Sequence, residues 1–244
     1  MNIHTEIAGK PSQQPIIFIH GAGGSSATWI MQLRGLSDAF NVIAVDLNGH
    51  GKSKDRFEKD VTKSYLDDIN SVITKYNQSI LVGHSMGGML TQLYALNNPE
   101  KLRGIVLVGT GAKLKVLPSI FDLLKNNFDG YIDLVGGFMF HKGASPELVE
   151  ASEIEMRKCK PDIISRDFTA CDMFDIMDVV SKISVPTLII VGQYDSMTPV
   201  KYSEYLHRSI NHSTLKIIEN AGHAVMLEQP GVLNKTIRNW ISSL

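Results

Sequence analysis

The amino-acid sequence predicts an α/β protein with a doubly wound, mostly parallel sheet and an inserted helical cap. The first observation is that short, nearly continuous runs of valine, isoleucine and leucine alternate with segments of helical period. Such runs are typical of parallel strands that are buried on both faces. The second observation is one long stretch, 112–184, that breaks the alternation. A long excursion of this kind from a sheet indicates an inserted lid or substrate domain.

The apolar runs are predicted strands, with an edge strand expected at the start of the chain. They are Ile3–Ile7, Ile16–Ile19, Val42–Asp46, Ile80–Val82, Gly104–Val108, Thr187–Val191 and Leu215–Ile218. The helical segments between them are Trp29–Leu36, Lys63–Tyr76, Met86–Asn98, Pro199–Ser209 and Pro230–Ser242. We therefore divide the chain into a core, 1–111 and 185–244, and a cap, 112–184.

The cap is predicted to contain several short helices. These are Val116–Phe128, Pro146–Cys159 and Pro161–Met177, with the glycine-containing stretch Gly130–Gly143 between the first two. We expect the cap to be mobile, with glycines as hinges, and to exclude water from the site that it covers. The hinge candidates are Gly111, Gly136, Gly137 and Gly143.

Composition restricts the class of protein. A hydrophobic fraction of 43%, a charged fraction of 20% and a net charge of −1 are those of an ordinary globular protein. No basic footprint for nucleic acid or an anionic membrane is present in the sequence. The first residues lack the pattern of a signal peptide, and no apolar run approaches the roughly 18 residues of a membrane helix. We predict a cytoplasmic protein without nucleic-acid partners or stable membrane association, and leave its oligomeric state open.

The stretch GHSMGG, residues 83–88, carries the first chemical signal. The pattern G-x-S-x-G between a strand and a helix is a nucleophile elbow, which lifts the serine hydroxyl above the carboxyl edge of the sheet. Ser85 is therefore a candidate nucleophile, and the helix that begins at Met86 directs its N–H groups toward charge that develops beside it. The alternative is a glycine-rich turn with an incidental serine.

A serine nucleophile needs a base, and the base needs an acid that orients it. Asp195 follows the predicted strand Thr187–Val191, and His223 follows the strand Leu215–Ile218. Functional groups of doubly wound sheets gather on the loops at the carboxyl ends of the strands. Ser85, Asp195 and His223 are therefore the predicted catalytic residues, in the chain order serine, acid, histidine.

Four motifs in the expected order resemble those of the α/β-hydrolase fold superfamily, in its capped carboxylesterase and monoacylglycerol-lipase-like branch. Besides the elbow they are HGAGGSS at 20–26, DLNGHGKS at 46–53 and LEQP at 227–230. The resemblance covers the chain apart from the divergent cap. It implies an α/β-hydrolase fold and an oxyanion hole made by the backbone N–H groups of Ala22 and Met86.

The reaction that this resemblance implies is acyl transfer, because a serine and not an aspartate occupies the elbow. We predict a hydrolase for carboxylic esters of small to medium apolar acids, with a small-molecule ester as its partner and neither cofactor nor metal. Hydrolysis of C–C bonds and perhydrolysis use the same triad and stay as alternatives. A ligand receptor that retains the triad is the non-enzymatic alternative.

Aromatic residues of the cap are candidates for an acyl pocket. We expect Phe138, Phe140 and Phe174 to contact the acyl group. The alternative is that these side chains form the cap's own small hydrophobic core.

Overall fold

The computed structural model describes residues 3–244. Met1 and Asn2, the first two residues of the stretch without a signal-peptide pattern, lie outside the described residues. Seven strands form one sheet in the order β1-β3-β2-β4-β5-β6-β7. They are β1 (Thr5–Ala8), β2 (Pro15–Ile19), β3 (Asn41–Val45), β4 (Ser79–His84), β5 (Leu102–Val108), β6 (Thr187–Gly192) and β7 (Ser213–Ile218). Only β1 pairs antiparallel, with β3. The predicted fold class, a mostly parallel sheet with flanking helices, is confirmed.

Helices connect the strands on both faces of the sheet. Those outside the inserted stretch are α1 (Ile30–Leu36), α2 (Val61–Ile73), α3 (Met86–Asn97), α8 (Val200–Ser209), α9 (Val225–Glu228) and α10 (Pro230–Ile241). Between β5 and β6 the chain forms α4 (Pro118–Asn126), α5 (Phe128–Met139), α6 (Pro146–Met156) and α7 (Pro161–Met173). Within the described residues, the stretch 112–184 adds no strand to the sheet, although Lys113 and Asp175 form an isolated antiparallel bridge.

Helix α5 corrects the sequence prediction, which placed only a connecting stretch between the first two cap helices. Its glycines lower the helical propensity of the segment, since each costs about 1 kcal/mol relative to alanine. Packing outweighs that cost, because Tyr131, Ile132 and Val135 are buried in the cap's own hydrophobic cluster. The Asn127 side chain also caps the helix by accepting a hydrogen bond from the Gly130 amide.

The sheet separates two hydrophobic clusters, because successive side chains of a strand point to opposite faces. Ile17 and Ile19 of β2 enter the cluster that contains the buried residues of α2 and α3. Ile16 and Phe18 enter the cluster that contains those of α1 and α10. Each central strand is therefore buried on both faces, and its polar loops are confined to the two edges of the sheet.

Across the described residues 3–244, no helix is long and apolar enough to cross a membrane.

Candidate active site

Ser85 lies at the turn between β4 and α3, with backbone angles φ 53° and ψ −114°. A positive φ at a non-glycine residue costs on the order of 1–3 kcal/mol and persists only where the surroundings enforce it. Here the Ser85 amide donates a 2.9 Å hydrogen bond to the Val108 carbonyl of β5. The Ser85 side chain stays partly exposed, whereas its neighbours His84 and Met86 are buried.

The two glycines that flank the serine are required by close backbone approach. A Cβ atom on Gly83 would lie 2.0 Å from the Gly87 carbonyl oxygen. A Cβ atom on Gly87 would lie 2.4 Å from the Ile19 carbonyl oxygen. Because real Cβ atoms essentially never approach backbone so closely, any larger residue at either position would open the turn that presents Ser85.

Asp195 and His223 meet beside this turn. Asp195 lies in the loop after β6 and His223 in the loop after β7, and both side chains are buried. The Nδ1 atom of His223 donates a 2.9 Å hydrogen bond to Oδ2 of Asp195. The Asp195 carboxylate also accepts hydrogen bonds from the Met197 and Thr198 amides and from the Thr198 hydroxyl, at 2.8–3.0 Å. Four donors therefore hold this carboxylate in one orientation.

The charge on Asp195 suits His223 to the part of a general base. Burial alone would raise the pKa of Asp195, but attraction and hydrogen bonds from His223 and Thr198 outweigh it and lower that pKa. Asp195 is thus ionised at neutral pH, and its bond to Nδ1 leaves the Nε2 atom of His223 unprotonated in the neutral ring. Among the described residues, Ser85 and His223 form no direct hydrogen bond, an arrangement common in free enzymes before substrate binds.

His84 connects the elbow to the histidine loop. Its Nε2 atom donates a 3.1 Å hydrogen bond to the His223 carbonyl oxygen, and the two imidazole rings lie 4.5 Å apart. Burial, reinforced by the neighbouring His223, lowers the pKa of His84 to about 3. His84 is therefore a neutral side chain that fixes the distance between the serine turn and the His223 backbone.

Two backbone amides beside Ser85 are free to bind an anion. Ala22 lies in the loop after β2, and Met86 is the first residue of α3. Within the described residues, neither amide donates a hydrogen bond to another protein group. The loop is close to the serine, since a Cβ atom on Gly21 would lie 3.3 Å from the Ser85 Cβ. The sequence resemblance names the same two amides as oxyanion donors, and that role stays a prediction.

The end of cap helix α5 is bonded directly to the loops that carry Asp195 and His223. The Met139 carbonyl oxygen accepts hydrogen bonds from the amides of His223 and Ala224, at 2.8 and 3.0 Å. The Phe138 carbonyl oxygen accepts a 3.0 Å bond from the hydroxyl of Ser196. This part of the cap therefore supports the histidine and aspartate loops.

Glu228 joins the cap to the loop of His223 through its side chain. One carboxylate oxygen accepts a 2.6 Å hydrogen bond from the His141 amide of the cap, and the other accepts a 2.7 Å bond from the Gly222 amide. Burial raises the pKa of Glu228, although the two amides act against that shift. The LEQP motif contains this glutamate, but the sequence did not predict that it links cap and core, because the His141 amide lies 87 residues away in the chain.

The three predicted acyl-contact residues do not come together. Phe140 is buried in the cluster that contains α1 and α10, and Phe174 is buried in the cluster that contains α2 and α3. Phe138 is 52% exposed. Phe140 and Phe174 are therefore core residues of two different clusters. Phe138 keeps an exposed ring, and its carbonyl oxygen bonds to Ser196.

Sequence reasoning also missed Thr198, although its position three residues after Asp195 was visible. The Asp195 carboxylate forms a local Asx turn by accepting the Met197 amide, and the Thr198 hydroxyl one residue further on bonds back to the same carboxylate. The carbonyl of Met139 could not be found from sequence, because a backbone acceptor carries no side-chain signal.

Comparison with known proteins identifies the family of this chain. A family model described as serine aminopeptidase, S33, matches residues 10–230. The pimeloyl-[acyl-carrier protein] methyl ester esterase of Wigglesworthia glossinidia brevipalpis is 28% identical over 93% of each chain. The proline iminopeptidase of Saccharolobus solfataricus is 27% identical, over 96% of this chain and 87% of its own. The solved structure of a thermophilic esterase is 30% identical, with a TM-score of 0.86 over 99% of this chain and 98% of its own.

Proposed function

This chain belongs to the serine aminopeptidase S33 family, and from that premise we propose that it hydrolyses carboxylic esters through Ser85, His223 and Asp195. The chain is a hydrolase of the α/β-hydrolase superfamily, as its sequence motifs implied. The observation that carries the proposal is the buried 2.9 Å His223–Asp195 bond beside a serine held at positive φ. A structural turn has no need of that combination.

The proposed reaction begins when the Ser85 Oγ atom attacks the acyl carbon of the ester. The Oγ proton passes to Nε2 of His223, whose imidazolium is stabilised by Asp195 through Nδ1. The Ala22 and Met86 amides bind the carbonyl oxygen as it becomes an anion, and one such donor contributes about 3–4 kcal/mol. The alcohol leaves with the proton from His223. A water molecule, activated by the same ring, then releases the acid and regenerates Ser85.

The proposed substrates are esters of small to medium apolar acids. The cap packs against the oxyanion loop through an apolar side chain, since Ile164 of α7 lies 3.0 Å from where a Cβ on Gly23 would be. Phe138 is the exposed aromatic residue at the end of α5 that we propose to contact longer acyl groups. We also propose a cytoplasmic location, supported by two buried cysteines that are both free.

The test is covalent labelling combined with turnover. A fluorophosphonate should add one probe mass to the peptide that contains Ser85, and p-nitrophenyl butyrate should be hydrolysed. Ser85→Ala should abolish both. Ser203→Ala is the matched control, because Ser203 is a buried serine of α8 whose hydroxyl has no hydrogen-bond partner among the described residues. Undiminished labelling of Ser85→Ala would contradict the proposal.

The family description and the proline iminopeptidase relative favour a second candidate, removal of an N-terminal residue from a peptide. That reaction needs a carboxylate to bind the substrate ammonium group. Asp55, Asp167 and Glu228 are carboxylates that join cap and core, and each already accepts hydrogen bonds from the protein itself. We therefore place ester hydrolysis first. Faster turnover of prolyl-p-nitroanilide than of p-nitrophenyl butyrate would reverse the order.

A further inference from the structure

A buried carboxylate of the cap contacts the oxyanion loop. Asp167 of α7 is fully buried, and its Oδ2 atom accepts a 2.9 Å hydrogen bond from the Gly23 amide. The same oxygen accepts a 2.8 Å bond from Nε2 of His50, and Oδ1 accepts one from the Tyr65 hydroxyl. The three donors come from three separate segments of the core. One cap side chain therefore ties the oxyanion loop to the rest of the molecule.

The contacts of His50 show that it carries a positive charge. Its Nδ1 atom faces the Asn48 carbonyl oxygen at 3.2 Å while Nε2 faces Asp167, so both ring nitrogens must donate. Burial opposes this charge, but attraction and hydrogen bonding to Asp167 outweigh it and raise the pKa of His50. The same pair lowers the pKa of Asp167 despite its burial. An ionised carboxylate left alone at this depth would cost several kcal/mol.

The other titratable groups around His50 are consistent with a positive charge on its ring. The His20 ring lies 4.7 Å away; its Nδ1 donates to the Gly21 carbonyl and its Nε2 accepts from the Leu47 amide, so it is neutral. Burial, together with the charge of His50, lowers the pKa of His20 to about 4. The remaining charged or titratable neighbours are Asp46, Asp55, Tyr65 and Arg166. Asp55 is paired with Arg166, which leaves Asp167 as the direct partner of His50.

The Gly23 amide is next to the proposed oxyanion donor in the chain. Gly23 has φ +65°, a conformation that glycine adopts without steric cost, in a turn closed by a 3.1 Å hydrogen bond from the Gly24 amide to the Gly21 carbonyl. The hydrogen bond to Asp167 fixes the peptide plane between Ala22 and Gly23. Ile164 packs against the Gly23 α-carbon from the same cap helix. The Ala22 N–H belongs to the preceding peptide, Gly21–Ala22, which meets the Ala22–Gly23 peptide at the Ala22 α-carbon. Without the carboxylate, the Ala22–Gly23 peptide would lose its anchor, and the Ala22 backbone that carries the proposed donor could shift.

We propose that Asp167 is a positioning residue of the oxyanion hole: it holds the Gly23 peptide so that the Ala22 amide points at the reacting carbonyl, and His50 supplies the countercharge. The cap would then be a structural part of the catalytic centre as well as its cover. This inference rests on the proposed function, because it assigns a role within the same acyl-transfer site.

The experiment compares Asp167→Asn with wild type and with Asp172→Asn. Asp172 is the matched control, since it is a partly exposed aspartate on the same helix that contacts Lys115. We measure kcat and KM for p-nitrophenyl butyrate, and the inhibition constant of an alkyl boronic acid, which forms a tetrahedral adduct with the serine. Loss of one oxyanion donor costs about 10²–10³ in kcat, so a misdirected donor should cost about 10- to 100-fold.

The expected result is that Asp167→Asn lowers kcat and boronate affinity in parallel, with KM changed by less than about threefold. Asp172→Asn should match wild type. A purely structural role would lower the melting temperature without moving kcat at 25 °C. A folded Asp167→Asn variant with kcat and boronate affinity within about twofold of wild type would overturn the proposal.

His50→Gln keeps the test decisive if Asp167→Asn does not fold. Glutamine can still donate to Asp167 but brings no charge, so kcat and boronate affinity should fall together by a smaller factor. Unchanged values in a folded His50→Gln variant would overturn the proposal in that case. The proposed function fails separately, if wild type is not labelled at Ser85 by the fluorophosphonate.

Discussion

Gly109 offers the sharpest test of how the His223–Asp195 pair is held. It follows β5 with φ +52°, and its amide donates a 2.9 Å hydrogen bond to the Ile190 carbonyl. A Cβ atom here would lie 3.2 Å from Oδ2 of Asp195 and 3.3 Å from Nδ1 of His223. Contacts this short require a neighbour to move by a few tenths of an ångström. Gly109→Ala therefore pushes directly on the bond between acid and base.

Two effects of this substitution can be separated. The left-handed backbone costs about 1–2 kcal/mol for an alanine, which lowers the melting temperature by about 2–8 °C for a chain of this length. Displacement of the His223 ring lowers kcat as well. A misplacement of about 1 Å can cost roughly 10²-fold, so the smaller shift expected here should cost about 3- to 30-fold.

The assay is kcat for p-nitrophenyl butyrate at 25 °C, measured beside thermal unfolding by circular dichroism. Gly137→Ala is the matched control, because a Cβ atom at Gly137 in α5 meets no atom within 4 Å. It should raise stability by about 0.5–1 kcal/mol and leave kcat unchanged. If Gly109→Ala loses stability but keeps full kcat, the pair does not depend on this contact and the reasoning is wrong.

Three further predictions follow from the site. Asp195→Asn should lower kcat by about 10⁴, as in serine proteases, because the amide favours the wrong His223 tautomer. Circular dichroism checks that the variant is folded. A loss of kcat below about tenfold would indicate that another acid orients His223. The raised pKa of His50 means that the stability it contributes is complete below about pH 6.5 and is lost as pH rises through its folded-state value. Melting temperatures from pH 6 to 10 should show this alkaline decline in wild type and not in Asp167→Asn. Phe138→Ala should reduce kcat/KM for octanoyl esters more than for acetyl esters, by about 1–3 kcal/mol. Phe174→Ala is the control and should affect both esters equally. A uniform loss in Phe138→Ala would show that Phe138 does not contact the acyl group.

Much of the fold was predictable because local sequence encodes it. The strands β2 to β6 are apolar at nearly every position, since each is covered on both faces. The serine turn was equally visible, because only glycine fits where a Cβ atom on Gly83 would lie 2.0 Å from backbone. Strand order along the chain then placed Asp195 and His223 at the same edge of the sheet.

Other features depended on tertiary contacts that leave no local pattern. Helix α5 forms despite its glycines because its apolar face completes the cap core. Its last residues then support the His223 loop through the Met139 carbonyl. The cap, whose mobility stays a prediction, is bonded to the core through the Met139 carbonyl and through Asp167, and neither contact has a local sequence pattern.

The sequence by itself determined the sheet, the elbow and the chain order of the predicted catalytic residues, because continuous apolar runs and the glycine requirement act over a few neighbouring residues. Only the tertiary structure decided which partners complete the site. The hydrogen bond between Gly23 and Asp167 joins residues 144 positions apart. Its donor is a backbone amide, which every residue except proline supplies, so it leaves no signal in the sequence. Burial makes this hydrogen bond necessary. In an interior without water, an ionised carboxylate needs hydrogen-bond donors and a positive charge such as that of His50, wherever in the chain these groups lie.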